Sequence, residues 1–389
     1  MSKQLRQDVW AMGRCSGCGV CVAACSKGVL YWDEEQHPLL EEREKTLGLS
    51  QLKLRTCEVC ERFCELCCPR LTELAPSTTL DTFAARSAGV TQSGEPNELI
   101  RSLLVAARSA DLIDGVLMLD MDPWSLKPVA RIATSVDEIV SSVGMQFLWA
   151  PVLSALNEAV FDYGLSKLAV VATPCVAEGA RRLMQANHPR LRHYREALRV
   201  VIASFCTGIF MPNFVDELLE RGMGIPRNRI YRIKTSITEN TMTVSQWKGA
   251  EQVVPLTEVE GFTHRGCSRC TDFLGEQADI AIGNVGAKRG FSTLIVRTPT
   301  GEVFLHNAIR FGLVDVSDQV DEVALSAAQT QKDLRSRAQA FDEFQILMLD
   351  ALSRPNLQAA VRKRFVALYG APKGKIPARE NCNVSCGGC

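Results

Sequence analysis

Hydrophobic and polar positions follow two different periods from about residue 97 onward. Apolar residues recur every three to four positions in several segments, which predicts helices at 98–107, 135–143, 152–163, 178–185 and 212–221. Between them lie short runs rich in apolar residues, which predict strands at 114–122, 168–172 and 198–204. Strands that alternate with helices predict an α/β domain with a largely parallel sheet.

The rest of the chain has other patterns. Residues 228–262 are more typical of antiparallel pairing, with strands predicted at 231–237 and 241–247. Two further strands are predicted at 278–283 and 291–298, and Pro299-Thr300-Gly301 predicts a turn before 302–307.

These patterns predict a mixed α/β (α+β) protein of three domains. The first, residues 1–72, holds two bunches of cysteines, and the second, residues 73–317, is the α/β domain. The third, residues 318–389, is helical in pattern as far as about 369 and ends in a cysteine-containing tail without periodicity.

Charge and composition narrow the class of protein. The net charge is zero at pH 7, so neither nucleic acid nor an anionic membrane is expected as the main partner. The most apolar stretch, residues 168–177, is far shorter than the ~20 residues of a membrane span, and the N-terminus has no apolar signal region. We therefore expect a cytoplasmic protein. Because that compartment keeps thiols reduced, the bunching of the sixteen cysteines indicates metal binding.

The first bunch is Cys15-x2-Cys18-x2-Cys21-x3-Cys25, the spacing that wraps a 4Fe–4S cluster. The fourth thiolate of such a run commonly reaches a second cluster. Zinc sites normally use two separated CxxC knuckles and fit this spacing less well. Ser26 follows Cys25, where ferredoxin runs usually carry proline.

The second bunch ends in the ferredoxin-like pair Cys68-Pro69 and has one residue too many in its middle. Eight of the nine cysteines suffice for two clusters, and the spare one is Cys67 or, if the loop bulges, Cys64. The alternative is one cluster with structural thiols. The two-cluster hypothesis takes its second set of thiols from Cys57, Cys60, Cys64 and Cys68.

Four more cysteines lie in the α/β domain, at Cys175, Cys206, Cys267 and Cys270. Cys267-x2-Cys270 is half of a metal site, and each of the other two follows a short apolar strand. Because parallel strands end at one edge of a sheet, all four could meet there. Buried apolar thiols explain the same pattern equally well.

Three segments here resemble a known family. The runs ATPCVAEGARRL, ASFCTGIFMPNFVDELL and GCSRCTDFLGEQADIAIGNVGAKRGFSTLIVRTPTGE are similar to the beta subunits of coenzyme F420-reducing hydrogenases and F420-linked formate dehydrogenases. The resemblance covers about residues 80–310. It implies a 4Fe–4S cluster on Cys175, Cys206, Cys267 and Cys270 beside a bound FAD, which exchanges a hydride with F420. Several relatives also carry an N-terminal two-cluster ferredoxin domain, and residues 1–72 of this chain are expected to form such a ferredoxin-like domain.

The sequence departs from the family pattern at two places near the expected flavin. Where relatives have a glycine-rich loop, this chain reads Ser93-Gly94-Glu95-Pro96, and Gln146 stands where many relatives have lysine. No dinucleotide fingerprint or P-loop is present, so FAD rests on the resemblance alone. The run Gly283-x2-Gly286-x3-Gly290 either offers backbone amides to an anionic cofactor or is a turn between two strands.

The leading hypothesis is a flavin-dependent iron–sulfur oxidoreductase with FAD and three 4Fe–4S clusters. It would pass electrons between an F420-type hydride carrier and a partner oxidoreductase subunit or a ferredoxin. The alternatives are a standalone ferredoxin-dependent reductase of an organic substrate and a flavin-less bridging subunit. The tail cysteines, Cys382, Cys386 and Cys389, are expected to form a site that is complete only in an assembled complex.

Overall fold

The computed structural model describes residues 4–26, 28–32, 37–40, 60–71, 74–75, 77–89, 93–122, 127–142, 148–353 and Lys363. The chain divides into two compact units, Met1–Leu334 and Arg335–Cys389. In the second unit the described residues are helical. Within the described ranges, no helix combines the length and the apolar character that a bilayer span requires.

The regular elements are numbered in chain order. The strands are β1 Leu30–Tyr31, β2 Leu39–Leu40, β3 Asp81–Ser87, β4 Gly115–Met121, β5 Pro128–Ala133, β6 Leu168–Ala172, β7 Leu198–Ser204, β8 Ile230–Ser236, β9 Thr241–Gln246, β10 Gln252–Pro255, β11 Ile280–Gly283, β12 Ser292–Val296 and β13 Val314–Ser317. The α-helices are α1 Val20–Ala23, α2 Phe63–Leu66, α3 Pro96–Ser109, α4 Val136–Ser141, α5 Pro174–Gln185, α6 Arg192–Ala197, α7 Leu256–Val259, α8 Pro299–Arg310 and α9 Glu322–Ser353. Wider π-helical turns span Leu5–Trp10, Glu158–Asp162 and Phe214–Gly222, and 3-10 turns span Val152–Ala155, Pro189–Leu191, Arg227–Arg229, Glu260–Phe262 and Arg265–Arg269.

An eight-stranded sheet in the order β13-β3-β12-β11-β7-β6-β4-β5 forms the centre of the first unit. Its four middle strands, β11, β7, β6 and β4, run parallel. The outer pairings are antiparallel. The prediction of a mixed α/β fold is confirmed, but the expectation of a largely parallel sheet is wrong, because only the middle of the sheet is parallel. The three strands β8, β9 and β10 form a separate antiparallel sheet.

Side chains of the sheet alternate between two cores because successive residues of a strand point to opposite faces. In β4, Val116 and Met118 belong to the core that contains α3 and α8. Leu117 and Leu119 belong to the opposite core, which contains α5. Both faces are covered, so the middle strands are apolar almost throughout.

The N-terminal cysteine-containing segment shares the α5 core. Val20 and Phe63 are buried in it with side chains of the sheet. The Trp149 indole Nε1 donates to Gly17 O at 3.2 Å. Gly19 has a φ of 89°, and a Cβ there would lie 2.5 Å from Ser154 N. The close backbone approach and the left-handed conformation both require glycine at position 19.

One local prediction is wrong. Pro299-Thr300-Gly301 does not form a turn but begins α8, with Pro299 at its first position. The Thr298 hydroxyl accepts from Gly301 N at 3.2 Å and caps the helix. Proline at the first helical position has no N–H to lose, and so the same residues that resemble a turn start a helix well.

Candidate functional site

The parallel strands β6, β7 and β11 end at one edge of the sheet, where chain segments with polar side chains follow them. After β6, Thr173 is extended and Cys175 is the second residue of α5. After β7 come Phe205 and Cys206, and after β11 comes Asn284. Ligands of open α/β sheets bind in the crevice outside the carboxyl ends of the strands.

A pocket of about 660 Å³ occupies this edge. Two of the glycines predicted to approach a cofactor, Gly283 and Gly286, line it. The other residues that line it include Glu95, Thr173, Ser204, Phe205, Cys206, Thr207, Arg232, Lys234 and Asn284.

An ion-pair cluster of three side chains lies in the pocket wall. The Glu95 carboxylate pairs with Arg232 and lies 3.4 Å from Lys234 Nζ. Burial alone would raise the pKa of Glu95, but its hydrogen bond to Arg232 and the nearby Lys234 lower it below the ordinary value. Glu95 is therefore ionised at neutral pH and neutralises part of the positive charge that an anionic ligand would meet.

The other described residues that were predicted to contact the flavin, Ser93, Gly94 and Gly290, lie next to Glu95 and outside the pocket lining. A Cβ on Gly94 would fall 2.1 Å from Gly290 C, so the two glycines pack backbone to backbone. The Ser93 hydroxyl accepts from Glu95 N at 3.1 Å, and the Ser292 hydroxyl donates to Gly94 O at 2.6 Å. These residues fix the loop that carries Glu95. Gln146 lies outside the described residues.

The four cysteines of the α/β domain, here called the central group, are brought together. Cys175 interacts electrostatically with Cys206, Cys267 and Cys270. Burial, with contributions from Cys267 and Cys270, raises the pKa of the Cys206 thiol to about 12. Thiols this buried and this close to one another become thiolates readily only when positive charge binds among them.

The N-terminal cysteines form two groups. Burial and the neighbouring thiols raise the pKa of Cys21, and those neighbours include Cys15, Cys18 and Cys68. We call these four residues the first N-terminal group. Burial likewise raises the pKa of Cys64 to about 12, with contributions from Cys25 and Cys60, and these three are the second N-terminal group. Cys25, the last cysteine of the first bunch, thus lies with the second bunch. Cys68, the last cysteine of the second bunch, lies with the first. Cys57 and the tail residues Cys382, Cys386 and Cys389 lie outside the described residues.

Cys67 differs from the other N-terminal cysteines in its surroundings. It is fully buried and packs in the α5 core with the sheet's side chains. Its neighbours Cys64 and Cys68 belong to different groups. Its thiol therefore occupies a core position between the groups.

Backbone amides point at several of the sulfur atoms. Gly17 N donates to Cys15 Sγ at 3.4 Å. The Cys18 and Cys206 thiols also accept from backbone amides, those of Val20 and Gly208. These donors stabilise the thiolate form of a cysteine, as required of a ligand.

The first N-terminal group and the central group are neighbours. A Cβ on Gly179 of α5 would lie 3.1 Å from Cys18 Sγ. Cys175 Sγ lies 3.9 Å from Ser16 O. Arg70 interacts electrostatically with Cys18 and Cys175, and its Nη2 pairs with Glu178 Oε2 at 2.8 Å.

The donor sets fit 4Fe–4S clusters in number and chemistry. Among the described Cys, His, Asp and Glu side chains, no three are arranged to hold one shared metal ion. A 4Fe–4S cluster makes a different demand, since each of its four irons takes a separate thiolate. The central and first N-terminal groups each supply four buried or half-buried thiols.

Sequence reasoning missed the charged residues around this site. Arg232 and Lys234 are two residues apart in β8 and hence share one face of the strand, which is a pattern visible in the sequence. Arg70 gives no such signal, because nothing local to it predicts an ion pair with Glu178, which lies more than a hundred residues away.

A crevice at the ends of parallel strands, beside groups of buried thiols, is typical of proteins that bind redox cofactors. Comparison with known proteins defines the family. Residues 165–322 match the C-terminal model, and residues 83–157 the N-terminal model, of the coenzyme F420 hydrogenase/dehydrogenase beta subunit. The chain belongs to this family, whose members include subunits of oxidoreductases.

Individual relatives extend the comparison. An uncharacterized protein of Methanocaldococcus jannaschii, MJ1349, is 29% identical over 86% of this chain and 97% of its own length. The beta subunit of coenzyme F420 hydrogenase from Methanococcus voltae is 28% identical over 57% of this chain and 77% of its own. One of the subunits of the F(420)H(2) dehydrogenase of Methanosarcina mazei is 23% identical over 85% of this chain and 92% of its own.

The fold is also similar to that of a solved structure. A chain of the F420-reducing [NiFe] hydrogenase complex from Methanosarcina barkeri superposes with a TM-score of 0.62 at 21% identity. The match covers 70% of this chain and 94% of that chain. It supports the mixed α/β architecture and its sheet.

Proposed function

We propose that this protein is a flavin-dependent iron–sulfur oxidoreductase subunit that exchanges electrons with coenzyme F420 or a similar hydride carrier. The single observation that carries the proposal is the position of Cys206, which belongs to the central thiol group and also lines the pocket. A cluster on the central group and a flavin in the pocket would then be neighbours. Such proximity is what transfer between a two-electron and a one-electron carrier requires.

The pocket supports a flavin in two ways. It lies at the carboxyl ends of the parallel strands, where Gly283 and Gly286 line it. Arg232 and Lys234 supply positive charge for the phosphates of an FAD. The residues of this chain would bind and orient the flavin, while its ring supplies the hydride chemistry.

The thiol groups support an ordered set of three 4Fe–4S clusters. The first N-terminal group is adjacent to the central group through Cys18 and Gly179. The second N-terminal group meets the first where Cys64 lies near Cys21. Electrons would therefore pass from the pocket to the central cluster, to the first N-terminal cluster and then to the second. Cys57 completes the second group in this proposal, and Cys67 is the spare thiol.

The electron partner is proposed to be another oxidoreductase subunit or a ferredoxin. The relatives include beta subunits of coenzyme F420 hydrogenases and of an F420-dependent formate dehydrogenase. A coenzyme F420-dependent sulfite reductase of Methanocaldococcus jannaschii also matches, at 26% identity over 75% of this chain and 45% of its own. One type of electron-transfer module thus occurs with different catalytic partners.

Metal and flavin analysis of anaerobically prepared protein tests the proposal. We expect about twelve iron atoms and as many acid-labile sulfides per chain, with one FAD seen by its absorption. Cys270→Ala should lower the iron content by about four atoms while the flavin remains. Zinc in place of iron, or iron near four per chain, would contradict the cluster assignment.

Reduction of the flavin tests the hydride carrier separately. Under anaerobic conditions, reduced F420 should bleach the flavin absorption faster than NADH does, because the chain has no dinucleotide fingerprint. Rapid bleaching by NADH alone would contradict this part of the proposal. Turnover of an organic substrate with reduced ferredoxin and no other subunit would favour the standalone reductase.

A further inference from the structure

Lys332 is a buried lysine beside the central thiol group. It lies in the first third of α9, and only 3% of its surface is exposed. Lysine is almost never fully buried unless its charge is compensated. Its Nζ donates to Thr207 O at 2.7 Å, and Thr207 follows Cys206 directly. The positive charge is therefore held next to a cysteine of the central group.

The first turns of α9 are fixed on the site by their own contacts. The Gln329 side chain donates to Thr271 O at 2.6 Å and accepts from Phe273 N at 3.3 Å. Ala328 is fully buried in a small core with Phe273 and Ile237. These contacts join α9 to the segment that follows Cys270. They hold the part of α9 that carries Lys332 beside the site.

Two acidic side chains, Asp333 and Asp272, also lie near this part of the site. Asp333 follows Lys332 on α9 and accepts from Gln329 Nε2 at 3.2 Å. Asp272, from the loop after Cys270, accepts from Gly275 N at 2.7 Å. Burial raises the pKa of the Cys206 thiol. Among the charged groups around it, Lys332 has the largest effect in the opposite direction and lowers that pKa.

The family resemblance does not account for this residue. The match to the C-terminal family model ends at residue 322, the first residue of α9. Lys332 lies ten positions beyond that end and still contacts the site. Lys332 therefore lies outside the matched family model, and its charge lies beside the central group and the pocket edge.

We propose that Lys332 is a positioning residue whose buried charge raises the reduction potential of the central cluster. The proposal rests on the proposed function, since it assumes a 4Fe–4S cluster on the central group. Reduction adds one electron to a cluster, and a fixed cation nearby stabilises the more negative, reduced form more than the oxidised form. The same charge lies at the edge of the pocket, through Thr207.

The test compares the midpoint potential of the central cluster in the wild type and in Lys332 variants. Anaerobic redox titration followed by electron paramagnetic resonance gives the potentials, and Cys270→Ala identifies which signal is the central one. Lys332→Met should shift the reduction equilibrium at least tenfold toward the oxidised state, which is 59 mV for one electron. Lys332→Arg, which keeps the charge, should shift it much less.

Three controls isolate the effect of the charge on the potential. Arg337→Met removes a charge from an exposed position of the same helix and should leave the potential unchanged. The potentials of the two N-terminal clusters should also change little in Lys332→Met. Lys332→Gln keeps a donor for Thr207 O without the charge and should match the methionine variant.

The outcomes separate this inference from the proposed function. An unchanged central potential in either neutral variant would overturn the role of Lys332 while leaving the clusters in place. Loss of the central cluster in both neutral variants, with Lys332→Arg intact, would show that the lysine is structural and would also overturn it. Absence of a central 4Fe–4S signal in the wild type would instead refute the proposed function.

Discussion

Arg70 lies where the N-terminal segment meets the α/β domain, and Arg70→Gln tests the proposed order of the clusters. Its guanidinium pairs with Glu178 at 2.8 Å, and the two side chains are 24% and 17% exposed. It interacts electrostatically with Cys18 of the first N-terminal group and with Cys175 and Cys270 of the central group. The Arg70 guanidinium thus interacts with cysteines of both the first N-terminal group and the central group.

The size of the effect follows from the charge and its surroundings. A unit charge about 8 Å from a cluster, at an effective dielectric constant of about 20, contributes about 2 kcal/mol to each reduction. For a one-electron couple this is about 90 mV. At a pH at which Glu178 stays ionised, Arg70→Gln should therefore lower the potentials of the central and first N-terminal clusters by about that amount, and that of the second cluster by less.

The variant also costs stability. Exposed ion pairs contribute about 0–1 kcal/mol, whereas loss of one member of a buried pair costs about 3–5 kcal/mol. The Arg70–Glu178 pair is about a fifth exposed, so a cost of about 2 kcal/mol is expected. Burial already raises the pKa of Glu178, and Arg70 opposes that rise. Without Arg70 the carboxylate takes up a proton more easily, which limits the loss.

The assay is an anaerobic redox titration that resolves the clusters by electron paramagnetic resonance. Glu178→Gln removes the opposite charge and should raise the same two potentials. Arg192→Gln is the matched control, because Arg192 pairs with Glu196 at 2.6 Å and both side chains are more than half exposed. If Arg70→Gln moves no potential further than Arg192→Gln does, the two groups are not joined through Arg70 and the proposed order is wrong.

Three other substitutions test separate parts of the site. Cys67→Ser should leave the iron content and all cluster signals intact, with a lowered thermal midpoint because a polar group enters the core; loss of about four irons would make Cys67 a ligand. Cys270→Ala should abolish electron transfer from the flavin to the N-terminal clusters in stopped-flow absorption, and an unchanged rate would make Cys270 a core thiol. Glu95→Gln should tighten FAD binding several-fold in a fluorescence titration, because Arg232 and Lys234 lose a competing carboxylate; weaker binding would show that Glu95 itself supports the flavin.

Individual strands could be predicted from the sequence better than their pairing and direction in the sheet. The strands at 168–172 and 198–204 are entirely or mainly apolar, and they form β6 and β7 in the middle of the sheet. Strand direction is not encoded in such a run. β12 pairs antiparallel with both β11 and β3, and this pairing depends on contacts between segments up to about two hundred residues apart.

The same distinction holds for the candidate site: local sequence patterns could be predicted, whereas contacts between distant segments could not. Cysteine spacing predicted the N-terminal groups of thiols, because a cluster needs its ligands on short loops of fixed length, whereas the central group was implied by the family resemblance. Lys332 could not be predicted, since it lies in a helix rich in charged and polar residues, where a lysine is usually solvated. Its burial depends on how α9 packs over the loop at 271–273, and periodicity carries no information about that contact.

Under the proposed function, the exchange of the fourth cysteine between the two bunches helps to hold this small segment together. Cys68 lies with Cys15, Cys18 and Cys21, whereas Cys25 lies with the later bunch. Apart from cysteines, the part of its own small core that the structure describes has few large apolar side chains, mainly Leu5, Val9, Trp10 and Leu30. Small segments with so little core usually need metals or cross-links to fold. Under the proposed function each N-terminal cluster would tie the start of the segment to its end, so that cluster binding contributes directly to folding. The cofactors that carry the electrons would then also fix the surface through which the segment packs on the α/β domain.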